Sequence, residues 1–122
     1  MRQCLIVDDS TVIRKVAKRI VQDLRYEVIE AENGQEAIER CQAQMPDVIL
    51  LDWHMPVMGA FEFLAALNVA AKGRRPFVIY CTTENDPVDL SRALASGADD
   101  YILKPFNREA LESKFYELQL AA

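Results

Sequence analysis

Long hydrophobic runs are missing: no window of the 122-residue chain approaches the ~18 uninterrupted apolar residues that a membrane-spanning helix requires. The amino terminus, MRQCLIVDD, meets two acids before the apolar region of a signal peptide could develop, so the chain is expected in the cytoplasm. Cysteine is scarce as well. Cys4, Cys41 and Cys81 are odd in number, far apart and without a CxxC pair, which argues against a disulfide framework or a zinc ribbon and for reduced thiols packed as small hydrophobes. Excess positive charge is also absent. A net charge of −5 argues against general affinity for nucleic acid or anionic lipid and leaves proteins or small ions as the expected partners.

What is present suits one compact domain over residues 1–122. The chain is 51% hydrophobic and 27% charged, and at this length it can bury roughly two-thirds of its unfolded surface. Short apolar stretches at Cys4–Val7, Val28–Ile29, Val48–Leu51, Phe77–Cys81 and Tyr101–Leu103 read as strands, separated by segments of helical period. The first helix is expected from about Thr11 to Leu24, with Val12, Ile13, Val16, Ala17, Ile20, Val21 and Leu24 on one face. Arg14, Lys15, Lys18, Arg19 and Arg25 are expected on the solvated side. Asn33-Gly34 opens a second helix, Phe61 to Ala70 forms a third, Pro87 suits the first turn of a fourth, and Arg108 to Leu120 makes a fifth. Five βα units imply a doubly wound, mostly parallel sheet with helices on both faces, and a single domain without a linker or an attached output domain is the expectation.

Sheets of this class bind ligands outside the carboxyl ends of their strands. The polar residues that punctuate the apolar runs sit at those ends: Asp8-Asp9, Asp52, Thr82 and Lys104-Pro105. If the strand order is 2-1-3-4-5, strands one, three, four and five lie side by side and these side chains converge on one rim. Convergence is electrostatically costly, because each carboxylate pair at 4 Å repels by roughly 4 kcal/mol at a surface-like dielectric. Lys104 supplies one cation. A hard divalent ion held by carboxylates, water and a phosphate, as in Mg²⁺ sites, supplies the rest. Under those charges Asp52 stays ionised and can act as a nucleophile that accepts a phosphoryl group. The Thr82 hydroxyl and the Lys104 ammonium can then pair with its oxygens.

These residues resemble the receiver domains of bacterial response regulators, single-domain CheY-like type. The resemblance runs through VDDS at 7–10, AENGQEA at 31–37, PDVILLDWHMPVM at 46–58, Thr82 and GADDYILKPF at 97–106. It implies the flavodoxin-like (βα)5 fold and a two-component signalling switch. Mg²⁺ would be held by Asp8 through water, by Asp9 and Asp52, and by the backbone carbonyl of His54, the sole histidine, whose ring would point outward. The conserved hydroxyl, aromatic switch and lysine map to Thr82, Tyr101 and Lys104, and the bond before Pro105 would be cis. The resemblance further implies a histidine kinase or histidine phosphotransfer protein as donor. A downstream effector would be reached through the face of the fourth helix, fifth strand and fifth helix, with Val88, Leu90, Arg92, Ala95, Tyr101, Lys114 and Phe115 as candidates. No enzyme activity beyond turnover of its own phosphoryl group is expected. The chain is expected as a monomer, with a phosphorylation-dependent dimer as the other option.

The chain departs from the family pattern at three places. Gly59-Ala60 follows the Met-Pro-x-Met turn where an acid or small polar residue and then glycine are usual, so a one-residue shift of the turn or of the helix start is expected. Thr83 replaces the usual small residue, and His54 and Glu84 flank the path of attacking water, which bears on phosphoryl lifetime. A phosphate sink, a phosphorelay intermediate and a degenerate adaptor are alternatives within the family. Outside it, a haloacid-dehalogenase-type phosphohydrolase requires a second Asp two residues after the nucleophile, where His54 stands. An FMN binder requires a Ser/Thr/Gly loop after the first strand, where Asp8-Asp9 would repel phosphate.

Overall fold

The first strand, β1 (Gln3–Val7), is buried at every position, as is β3 (Val48–Asp52), which is the expected state of strands covered on both faces. In the computed structural model every residue is described except Met1, Pro56, Lys72, Glu84, Asn85 and Ala122; of Gln119, Leu120 and Ala121 only the backbone is described. The chain alternates β1, α1 (Thr11–Asp23), β2 (Glu27–Ala31), α2 (Gly34–Ala43), β3, α3 (Ala60–Ala70), β4 (Phe77–Thr82), α4 (Pro87–Ala95), β5 (Asp100–Leu103) and α5 (Arg108–Ala121). The five strands pair in parallel in the order β2-β1-β3-β4-β5. This is the doubly wound parallel sheet that the alternation of strands and helices implies, in the flavodoxin-like order that the family resemblance implies.

Period-two alternation divides the core into two layers. Leu5, Val7, Ile49, Leu51, Val78 and Tyr80 face α2, α3 and α4, where they meet Ala37, Ile38, Phe63, Leu64, Leu67 and Leu90. Cys4, Ile6, Val48, Leu50, Ile79 and Cys81 face α1 and α5, where they meet Ala17, Ile20, Val21, Leu111 and Phe115. All three cysteines are free and buried. Burial pushes the Cys41 thiol up to about 11, and burial, with the neighbouring Asp52 and Asp8 charges, pushes Cys81 up to about 12, so both stay protonated and unreactive.

Helix starts follow local capping chemistry. Ser10 Oγ accepts from Ile13 N at 3.3 Å, Asn33 Oδ1 from Glu36 N at 2.8 Å, and Asp86 Oδ1 from Val88 N at 2.9 Å with Pro87 in the first turn of α4. Helix α3 starts at Ala60, one residue before the Phe61 expected, and its cap, Gly59, offers no side-chain acceptor. Gly34 has a steric reason to be glycine: an added Cβ would lie 2.5 Å from the Met58 carbonyl oxygen, so α2 and the β3–α3 loop meet there at backbone distance.

Helix α1 differs from the sequence reading on both sides. Val12 and Val16 are 71% and 51% exposed, because the stripe that meets the sheet is the narrower Ala17, Ile20, Val21 set with Ile13 and Leu24 partly covered. Arg14 is not on the solvated side; its side chain is only 14% exposed, donating from Nη1 to the Asp8 carbonyl at 2.6 Å and from Nε to Glu30 at 3.2 Å. A long stem lets the guanidinium lie along the sheet rim while its charge finds partners there.

Candidate functional site

The carboxyl ends of β1, β3, β4 and β5 converge as the strand order requires. β3 ends in Asp52, 4% exposed and paired in register with Cys81, one residue before Thr82. Asp8, immediately after β1, is also 4% exposed; its Oδ1 accepts from Ser10 N at 2.9 Å, which fixes the carboxylate against the start of α1. Lys104, just after β5, brings its ammonium 2.6 Å from Asp8 Oδ2 and 2.6 Å from Asp52 Oδ1. The Lys104–Pro105 bond is cis, as anticipated, and the Lys104 amide donates to the Thr82 carbonyl at 2.7 Å.

Electrostatics are sharpened by burial. Desolvation pushes the Asp52 carboxyl above its ordinary range; the Lys104 hydrogen bond and charge pull against it, while Asp8 and Asp9 push the same way. For Lys104, burial acts to lower the ammonium's pKa, and the two carboxylates outweigh it, leaving the pKa above the ordinary lysine value. The ammonium is therefore held charged between two acids. Asp9 is exposed and completes a triad with Asp8 and Asp52 whose ligand oxygens all lie within 4.8 Å of one another. Three carboxylates against one ammonium leave two negative charges uncompensated. A set of hard oxygen donors with that deficit fits a hard divalent cation such as Mg²⁺.

The other expected residues fall around this centre. Thr82 is fully buried at the end of β4. Tyr101, opposite Tyr80 in the β4–β5 register, is partly buried against the α3–α4 layer, with the Lys114 ammonium 5.6 Å from its ring centroid. His54 is exposed and its ring lies 5.1 Å from that of Trp53. Thr83 is exposed beside Thr82, and Glu84 lies outside the described residues. Of the candidate signalling face, Val88, Arg92 and Ala95 are exposed and Lys114 is partly so, but Leu90 and Phe115 are core. Phe115 belongs to the opposite layer, edge-on to Tyr26 at 5.0 Å, because α5 turns Leu111, Phe115 and Leu118 toward the sheet.

Two features escaped the sequence. Arg14 binds the Asp8 carbonyl, and the Tyr80 hydroxyl donates to Asp89 of α4 at 3.2 Å beside Phe61. An arginine four residues after the Ser10 cap and a tyrosine amid an apolar strand were the available signals.

The response regulator receiver domain model matches residues 4–116. The chain belongs to that family. This receiver domain is 40% identical to the chemotaxis protein CheY of Listeria monocytogenes, over 92% of the chain and 97% of that protein. It is 35% identical to CheY1 of Helicobacter pylori over 90% of each. Among solved structures, CheY4 of Vibrio cholerae superposes with a TM-score of 0.90 at 37% identity, covering 96% of this chain and 98% of that one. The receiver domain of sensor histidine kinase PA1611 from Pseudomonas aeruginosa, at 28% identity and a TM-score of 0.85 over 95% of each chain, carries a magnesium ion coordinated in its active site cleft. The receiver described here is thus CheY-like in fold and family, consistent with two-component signalling. Among the described residues, no helix is long and apolar enough to cross a membrane.

Proposed function

We propose that this receiver is a phosphorylation-dependent switch: Asp52 accepts a phosphoryl group from a phosphohistidine of a kinase or phosphotransfer protein, and the phosphorylated form binds an effector protein. The observation that carries this reading is the buried Asp52 at the end of β3, hydrogen-bonded at 2.6 Å to an ammonium that also holds Asp8. An Asp52 oxygen forms the new P–O bond as the P–N bond breaks, and the electron pair leaves with the imidazole. Lys104, already beside Asp52, pairs with a phosphoryl oxygen and offsets the charge that the phosphoryl group brings. The Thr82 hydroxyl, on the adjacent strand, donates to a phosphoryl oxygen. Asp8, Asp9 and Asp52, with the His54 carbonyl, would hold Mg²⁺, which when bound supplies the remaining positive charge at the transferring group. The chain turns over only its own phosphoryl group and is not otherwise an enzyme.

The message leaves through α4, β5 and α5. As Thr82 moves toward the phosphoryl oxygen it vacates space, and Tyr101 turns inward to fill it. A two-state equilibrium shifts only by the differential stabilisation that the modification supplies, so the active form is sampled without phosphate. Beryllofluoride with Mg²⁺ is expected to shift the amide signals of α4, β5 and α5, and Asp52→Asn to abolish the shift. Amide signals on those elements that do not respond in the parent would overturn the reading.

A further inference from the structure

Tyr80 sits in the middle of β4, 1% exposed, and its side chain points to the same face of the sheet as Thr82 two residues later. Its register partner on β5 is Tyr101, which lies against the same layer. Its ring packs 6.1 Å from Phe61, whose own ring carries the Arg92 guanidinium of α4 at 4.0 Å. Its hydroxyl crosses to α4 and donates to Asp89 Oδ2 at 3.2 Å. Burial holds this phenol far above the ordinary tyrosine value, with the Asp89 charge adding to the effect, so the hydroxyl keeps its proton and remains a donor. Few apolar anchors compete with that bond. Helix α4 spans nine residues and buries Leu90 and Ala93, so the hydrogen bond from the sheet into its first turn adds a polar anchor to two apolar ones.

We infer that the Tyr80 hydroxyl is a positioning group that tethers α4 in the resting state through Asp89 and thereby sets how strongly phosphorylation must act to switch the receiver. The inference rests on the switch reading above. Tyr80 lies in the same layer as Tyr101, beside the space that Thr82 would vacate, so a movement of the first turn of α4 that accompanies an inward Tyr101 must break the Tyr80–Asp89 bond. While the Tyr80–Asp89 bond holds, that movement is opposed. Removing it lowers the threshold.

The test is a titration of the full chain with beryllofluoride and Mg²⁺, following α4 amide signals, with thermal unfolding measured in parallel. Tyr80→Phe removes one oxygen and keeps the ring. Its α4 signals are expected to lie part of the way toward the activated positions before any mimic is added, and its midpoint to fall roughly tenfold, the shift that losing a hydrogen bond to a charged group produces. Asp89→Ala is expected to match it, the double variant to add nothing further, and Asp89→Asn, which keeps an oxygen acceptor, to stay near the parent. A merely structural role would lower the unfolding temperature and leave the midpoint in place. If Tyr80→Phe does not fold, Asp89→Ala, altered at a partly exposed position, decides the matter alone. A midpoint unchanged or raised in the folded variants, with the parent responding normally, overturns the tether and leaves the switch intact. A parent without any response overturns both.

Discussion

Lys104 shows most plainly how one side chain organises the site. Its ammonium satisfies Asp8 and Asp52 together, and the side chains of the three residues are between 4% and 9% exposed. Deleting that charge strands two buried acids. Lys104→Met is expected to lower stability by about 2 kcal/mol in the absence of divalent cations, with Mg²⁺ restoring part of the loss. Urea unfolding with and without Mg²⁺ checks this, and a variant as stable as the parent in chelator would refute the pairing's importance. Asp8, Asp52 and Lys104 were legible in the sequence because charged residues at the ends of apolar strands are rarely buried without partners. Tyr80 was not. An aromatic inside a strand reads as core, and the partner of its hydroxyl depends on how α4 is rotated, which no residue of β4 encodes.

At the scale of elements, the loop from β3 to α3 carries the clearest strain. Val57 has φ of 69°, a left-handed conformation that a β-branched residue tolerates poorly, and it is 79% exposed, so no burial compensates. Val57→Asn is expected to raise stability by about 1 kcal/mol, read as a higher urea midpoint at unchanged slope; an unchanged or lower midpoint would show that the conformation carries no strain. The helix period predicted α1 within one residue of its end but assigned Val12 and Val16 to the core. Periodicity gives a stripe, and the width of the stripe depends on how the helix lies across a twisted sheet. Phe115 illustrates the same limit. It was a candidate of the signalling face, yet the packing of α5 turns it into the layer shared with α1.

At the scale of the whole molecule, the site exists because the strand order puts residues far apart in sequence side by side. Lys104 and Asp8 are separated by 96 positions and meet at 2.6 Å. The alternation of strands and helices implied a parallel sheet and the family resemblance implied its order, which sets β1, β3, β4 and β5 side by side and brings their polar ends to one rim. What the sequence pattern left open was which layer each helix face joins and which side chains link the rim to α4. The proposed switch depends on this rim making Asp52 a phosphoacceptor. The direct measurement is incubation with a small phosphodonor and Mg²⁺, followed by mass spectrometry of the intact chain and of its peptides. One acid-labile phosphoryl group on Asp52, absent from Asp52→Asn, is the predicted result; labelling of that variant as efficient as the parent's, or none of either, would contradict it.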